Sequence, residues 1–237
     1  MAVEDTYSKG MSELDHTCGS SILQDYKWSQ YQCYVDIAGA YGSFLADLLA
    51  GNPASQGILF DQPQVISRAR KVWEGGSSKT GLAERISFVA GDFFKAETLP
   101  RSESAGVAWI LRQVCHDWPD SATVEILRSV RAAMEASTHP GTLCLVEAVI
   151  TSQGSPTADF RDRSRTASDL HMMIQHDGKE RDAQQWLDIL AQADFKLTRV
   201  VQTRSIFSIV EAKPMPRSST ASQPSTSIGN VQAARAV

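Results

Sequence analysis

Several common sequence signatures are missing from this chain, and each absence removes a class of function. No glycine-rich loop runs into Gly-Lys-Ser/Thr, so there is no nucleoside-triphosphate P-loop. No Gly-x-Gly-x-x-Gly run follows a strand, so the dinucleotide pyrophosphate cradle is absent too. Cys18, Cys33, Cys115 and Cys144 are widely spread with no Cys-x-x-Cys pair, which reads as thiols in a reducing compartment rather than a disulfide frame or a zinc site. Positive charge is not in excess: 23 Lys and Arg against 27 Asp and Glu leave a net charge of -4, which offers no general surface for nucleic acid. No apolar run approaches a membrane span. The opening "MAVEDTYSKG" lacks the basic start and apolar centre of a secretory signal. The expectation is a cytoplasmic protein that binds neither membrane nor nucleic acid. Its 237 residues suffice for one sizeable α/β domain.

What is present is a regular alternation. "CYVDIA", "GILFD", "RISFVAGD", "GVAWILRQV" and "GTLCLVEAVI" read as buried strands. Between them "SFLADLLAG", "PQVISRARKVW" and "DSATVEILRSVRAAMEA" carry helical spacing. Pro63 opens the second helix, and Asp120 or Ser121 is the expected cap of the third. "SDLHMMIQ" and "DAQQWLDILAQA" also read as helices. "FKLTRVVQT" and "SIFSIVEA" are strands joined tightly around Arg204. Parallel strands require a crossover, so that last pair should be antiparallel. The fold class expected is α/β: a Rossmann-like, mostly parallel sheet with helices on both faces and an antiparallel C-terminal hairpin. Residues 1–30 read as an N-terminal helical segment, 31–213 as the main domain, and 214–237, rich in Ser, Thr, Gln and Pro, as a disordered tail.

Open parallel sheets bind ligands beyond the carboxyl ends of their strands. Three groups fall there. Asp36 to Gly42 ends the first strand, and its glycines, Gly39 and Gly42, let backbone approach a ligand. Asp61 ends the second strand, where a carboxylate can accept ribose hydroxyls. Asp92 and Phe93 follow the third, suited to an adenine amino group and ring. Taken singly, the turn is also a plain strand-to-helix corner and Asp61 a helix cap. Together they describe an adenosine site, and with no pyrophosphate cradle S-adenosylmethionine fits better than NAD.

The fourth strand, read as ending at His116 in "LRQVCHDWPD", puts an imidazole over that edge, able to accept a proton from a hydroxyl. Glu147, near the end of the fifth strand, and Glu180, in "DGKERD", are carboxylates that could fix its tautomer. Each also has an ordinary reading: a backbone-bonded histidine, an exposed strand-end charge, a helix-dipole charge.

The pieces "VDIAGAYG", "LFDQP", "ISFVAGDFF", "LRQVCHDWPD", "LVEAVI", "SDLHMM", "GKERDAQQW" and "SIVEA" occur in an order that resembles the catalytic domain of class I S-adenosylmethionine-dependent small-molecule O-methyltransferases, over roughly residues 26–213. The resemblance implies a seven-stranded sheet. It implies His116 as general base flanked by Glu147 and Glu180. It implies Asp36, Gly39, Gly42, Asp61, Gln62, Asp92, Phe93 and Arg112 as cofactor contacts. It implies Trp118, Met172, Met173 and His176 against a small-molecule acceptor, and no metal.

Two departures stand out. Ala38 and Ala40 replace turn glycines, which matters most if the backbone there has positive φ. Relatives also carry a further N-terminal helical domain that dimerises and closes the acceptor pocket, so a homodimer, or a complex with a chain supplying that domain, is expected. Three functions follow: methyl transfer to a phenol or enol of a secondary metabolite; a cyclisation or rearrangement on the same fold without methyl transfer; or a partner subunit of a composite enzyme.

Overall fold

Strand β1 (Cys33–Ile37) is buried at every position, the pattern of a central parallel strand covered on both faces. In the computed structural model, which describes residues 19–75, 81–151, 160–176 and 178–216, β1 lies in the middle of a seven-stranded sheet. The partners are β2 (Gln56–Asp61), β3 (Ile86–Ala90), β4 (Val107–Arg112), β5 (Thr142–Glu147), β8 (Phe195–Gln202) and β9 (Ser208–Pro214), in the order β3-β2-β1-β4-β5-β9-β8. The first five pair in parallel. Strand β9 returns antiparallel beside β5 and β8 pairs antiparallel with it, as the tight connection around Arg204 requires.

Side-chain alternation builds two cores. Cys33, Val35 and Ile37 of β1, Trp109 and Leu111 of β4, and Leu143 and Leu145 of β5 pack on one face with α4 (Asp120–Glu135) and α6 (Ala183–Gln192). Tyr34, Ile110, Cys144 and Val146 point to the other face, under α2 (Ser43–Gly51) and α3 (Pro63–Gly75). Helix α2 turns Phe44, Leu45, Leu48 and Leu49 inward, and α3 turns Ile66, Ala69 and Trp73, matching their sequence spacing.

Some boundaries differ from the sequence reading. "GTLCLVEAVI" is not one strand. It breaks at Ala148, and β6 (Val149–Ile150) pairs instead with β7 (Arg181–Asp182) in a separate two-stranded sheet. Strand β4 stops at Arg112, because Gln113 has φ 54, and His116 lies in a 3-10 turn over Cys115–Asp117. The residue before α4 is Pro119, with no side-chain cap; Asp120 is drawn to two cations described below. Side chains from both sides of the boundary expected at residue 30 pack together. Helical residues 19–25, here α1, lead into Tyr26, Trp28 and Tyr31, which lie in the second core, and Tyr26 Oη donates to Glu211 Oε2 at 2.6 Å. At the other end, β9 continues through Pro214 and Met215 N donates to Asp194 O at 2.8 Å. The expected tail from residue 217, and residues 1–18, lie outside the described residues.

Candidate active site

Because Ile37 pairs with both Phe60 and Leu111, Asp61 with Ala90, and Arg112 with Val146, the carboxyl ends of five strands finish level. This edge holds the sequence-predicted groups. The chain leaves β1 through a turn in which Ala38 has φ 56, Ala40 φ 52 and Gly42 φ 73. Both alanines therefore adopt the left-handed conformation that glycine serves, at a cost of about 1–2 kcal/mol each. Ala38 N donates to Phe60 O at 2.8 Å, and Ala40 N to Asp61 Oδ2 at 2.9 Å. At Gly39 a Cβ would meet Asp36 Oδ2 at 2.5 Å and Leu59 Cδ1 at 2.6 Å, so the turn lies directly on the buried Asp36 carboxylate.

Asp61 is half-buried at the end of β2. Its Oδ1 accepts from Gln62 N at 2.7 Å. Burial raises its pKa, against the pull of those two amides. Gln62 itself is exposed and accepts from the Gln64 side chain. Asp92 Oδ1 accepts from Phe94 N at 3.0 Å, and Lys95 lies 3.4 Å from its Oδ2. The Arg112 guanidinium sits 4.9 Å over the Phe44 ring.

His116 is the centre of the site. The residue is 7% exposed. Its Nδ1 lies 3.1 Å from Glu180 Oε1 and 3.6 Å from Glu147 Oε2; its Nε2 lies 3.6 Å from Asp117 Oδ1. Neither acid is the exposed charge it could have been, since Glu147 is fully buried and Glu180 is 3% exposed. Glu147 Oε1 accepts the Val114 and Cys115 amides at 3.2 and 2.9 Å, which leaves Oε2 for the imidazole. Glu180 Oε1 also accepts from Ser168 Oγ at 2.7 Å, and Glu180 N donates to Asp169 Oδ1 at 2.9 Å. Burial pushes the His116 pKa down, but the charge of Glu147 and the hydrogen bond and charge of Glu180 outweigh it and carry it up to about 9. Burial pushes Glu147 up to about 7, the His116 charge pulls against this, and Glu180 adds to it. One imidazolium between two buried acids cannot neutralise both. Two carboxylates and an imidazole converging this closely also form a set of metal-ligand type, with ligand atoms all within 4.8 Å of one another, although no metal was expected.

The two expected acceptor methionines face differently. Met172 is buried and Met173 is 61% exposed, because successive helical side chains diverge on α5 (Phe160–His176). Trp118 packs edge-on against Phe94 at 5.0 Å and Phe93 at 5.9 Å, so it belongs with the Phe93 side of the edge. The side chain of His176 lies outside the described residues. Sequence reasoning missed Ser168, Asp169 and Arg181. The first two stand inside "SDLHMM" on α5, one turn before Met172, and only folding brings them to Glu180.

A family model described as the O-methyltransferase domain matches residues 1–196. The chain is 35% identical over 195 residues to the phenazine O-methyltransferase PhzM of Lysobacter antibioticus, covering 82% of this chain and 52% of that protein. It is 32% identical over 218 residues to the O-demethylpuromycin-O-methyltransferase of Streptomyces alboniger, covering 89% and 53%. Among solved structures, LaPhzM superposes with a TM-score of 0.75 at 30% identity, covering 90% of this chain and 58% of that one. The O-methyltransferase NcsB1, solved with S-adenosylmethionine and a hydroxynaphthoic acid, superposes with a TM-score of 0.72 at 26% identity, covering 90% and 58%. The chain spans about half the length of the curated relatives it matches.

Proposed function

The chain belongs to the O-methyltransferase domain family, and from that premise we propose that it is an S-adenosylmethionine-dependent O-methyltransferase acting on a phenol or enol hydroxyl of a small secondary metabolite. The observation that carries this reading is the buried His116 between Glu147 and Glu180, on the same sheet edge as the left-handed turn and Asp61. The residues present fit the cofactor. Asp61 keeps lone pairs beyond those used by the Ala40 and Gln62 amides, enough to accept ribose hydroxyls, and its half-buried place shields such bonds from water. Asp92 and Phe93 stand at the neighbouring strand end for the adenine.

S-adenosylmethionine supplies an electrophilic methyl on a sulfonium. The chain supplies the rest. His116 removes the acceptor hydroxyl proton through Nε2, while Nδ1–H stays bonded to Glu180, whose carboxylate fixes the tautomer and stabilises the imidazolium. Holding acceptor and base in line supplies much of the acceleration. A pKa near 9 leaves about one imidazole in a hundred neutral at pH 7. A positive charge held at this edge lowers that pKa and prepares the base.

The acceptor is a small molecule. Leu170, Met173 and Ile174, at 54%, 61% and 73% exposure, give α5 an apolar stripe. A second copy, or a helical segment of the kind its longer relatives carry, is proposed to complete the pocket wall there. Calorimetric titration with S-adenosylmethionine and S-adenosylhomocysteine tests the core of the reading: micromolar binding is expected, and no binding at millimolar ligand refutes it. His116→Ala should then abolish turnover while sparing cofactor affinity.

A further inference from the structure

Arg181 has no part in the chemistry above, yet it is among the most deeply buried charged groups of the domain, at 0% exposure. Its Nη1 donates to Cys115 O at 2.8 Å. Its Nη2 donates to Trp118 O at 2.7 Å and to Thr123 Oγ1 at 3.1 Å. Its Nε donates to Asp120 Oδ1 at 2.9 Å, and its plane lies 5.3 Å over the Trp186 ring. The two carbonyls it grips bracket His116, one on each side.

The neighbours of Arg181 hold the same turn. Lys179 N donates to His116 O at 2.9 Å. Gly178 lies so close that a Cβ there would be 2.0 Å from His116 O. Glu180 reaches the ring. From the opposite side Glu147 holds the Val114 and Cys115 amides. The segment Gly178 to Arg181 therefore orients the imidazole with one side chain and fixes its backbone with the next.

We propose that Arg181 is a positioning residue for His116, locking the turn over Cys115–Asp117 so that Nδ1 meets Glu180 and Nε2 is left for the acceptor. The idea rests on His116 as the base. It requires the planar fork of arginine: two carbonyls, a hydroxyl and a carboxylate are engaged at once, which the three-donor point charge of lysine cannot reproduce. The charged groups facing His116 are Glu147 from β5, Glu180 ahead of β7 and Asp117 of its own turn. Asp169 of α5 reaches it only through the Glu180 amide, and Lys179 is turned away onto Asp120 at 2.6 Å.

The test is Arg181→Lys, which keeps the charge and removes the fork. The His116 ring is followed by NMR titration alongside thermal unfolding, S-adenosylhomocysteine affinity and turnover. The expected variant is folded and binds S-adenosylhomocysteine within about twofold of the parent. Its His116 titration midpoint falls by about one unit from the parent value as the ring loosens from Glu180, and kcat drops about 10–100-fold with the cofactor KM unchanged. An unmoved midpoint, with turnover lost only in proportion to unfolded protein, overturns the proposal. Should Arg181→Lys fail to fold, Thr123→Val removes one anchor of the guanidinium without altering charge; it should move the midpoint the same way by less, and an unmoved midpoint again overturns the idea. The titration needs no turnover, so a parent that binds no cofactor refutes the methyltransferase reading while the midpoint still decides the role of Arg181.

Discussion

The turn after β1 allows a quantitative test. Ala38 and Ala40 sit at φ 56 and φ 52. A left-handed L-residue costs about 1–2 kcal/mol relative to its right-handed form. Glycine removes that cost but enlarges the unfolded ensemble, which returns about 0.4–1 kcal/mol. With mid-range values, about 1.5 less about 0.7, each Ala→Gly change should stabilise by about 0.8 kcal/mol and the pair by about 1.6 kcal/mol. In a domain of this size 1 kcal/mol moves the melting temperature by about 2–4 °C, so Ala38→Gly/Ala40→Gly should melt about 3–6 °C higher. The control is Ala132→Gly in the interior of α4, where glycine should lower stability by about 0.5–1 kcal/mol. Differential scanning calorimetry of the single variants, the pair and the control gives the comparison. If the turn variants melt lower, by as much as the control, the alanines are not left-handed and the account of this turn fails.

Further expectations concern the buried trio and its support. Turnover measured as kcat/KM should rise with pH and level off once the His116 imidazole has lost its proton, at about 9 for the protein without ligand and lower with a positive charge held at this edge; a profile flat from pH 6 to 10 would remove it as the base. Stability should move the opposite way. His116 binds its proton more tightly folded than unfolded, so its contribution is lost as pH rises through 9, and burial of Glu147, which also raises its pKa, acts in the same direction. Urea midpoints across pH 4 to 10 check the sign. Glu147→Gln keeps an acceptor for the Val114 and Cys115 amides but removes a charge, so the His116 midpoint in an NMR titration should fall by about a unit or more while the fold survives. Gly178→Ala forces a methyl against the His116 carbonyl and should destabilise by about 1–3 kcal/mol, read as a lower melting temperature.

Much of the fold was legible because its strands are short apolar runs and its helices carry clean apolar faces. Leu45, Leu48 and Leu49 of α2 and Ile66, Ala69 and Trp73 of α3 are buried as their spacing implies. The antiparallel ending followed from one short connection. The break at Ala148 was not legible, since "LVEAVI" carries no Gly or Pro to mark it; the pairing of Val149 and Ile150 with β7 splits it. Nor was the end of β4, because nothing in "LRQVCH" announces a left-handed Gln113. Nor did "HMMI" tell which of two adjacent methionines is buried: successive helical side chains diverge, and packing covers Met172 and leaves Met173 exposed.

By itself the sequence determined which chemical groups stand at the carboxyl edge: Asp61 ends its strand, and the turn of Ala38 to Gly42, Asp92 and His116 follow within a few residues of theirs, because alternation of strand and helix brings every strand end to one side. Tertiary structure decided what those groups are chemically. Glu147 and Glu180 lie 33 residues apart in the chain, and only folding buries both against one imidazole. In that poorly solvated space their charges overcome the burial of His116 and raise its pKa. Arg181, an unremarkable arginine in a polar segment, became the clamp of the same histidine because β7 carries it under the turn.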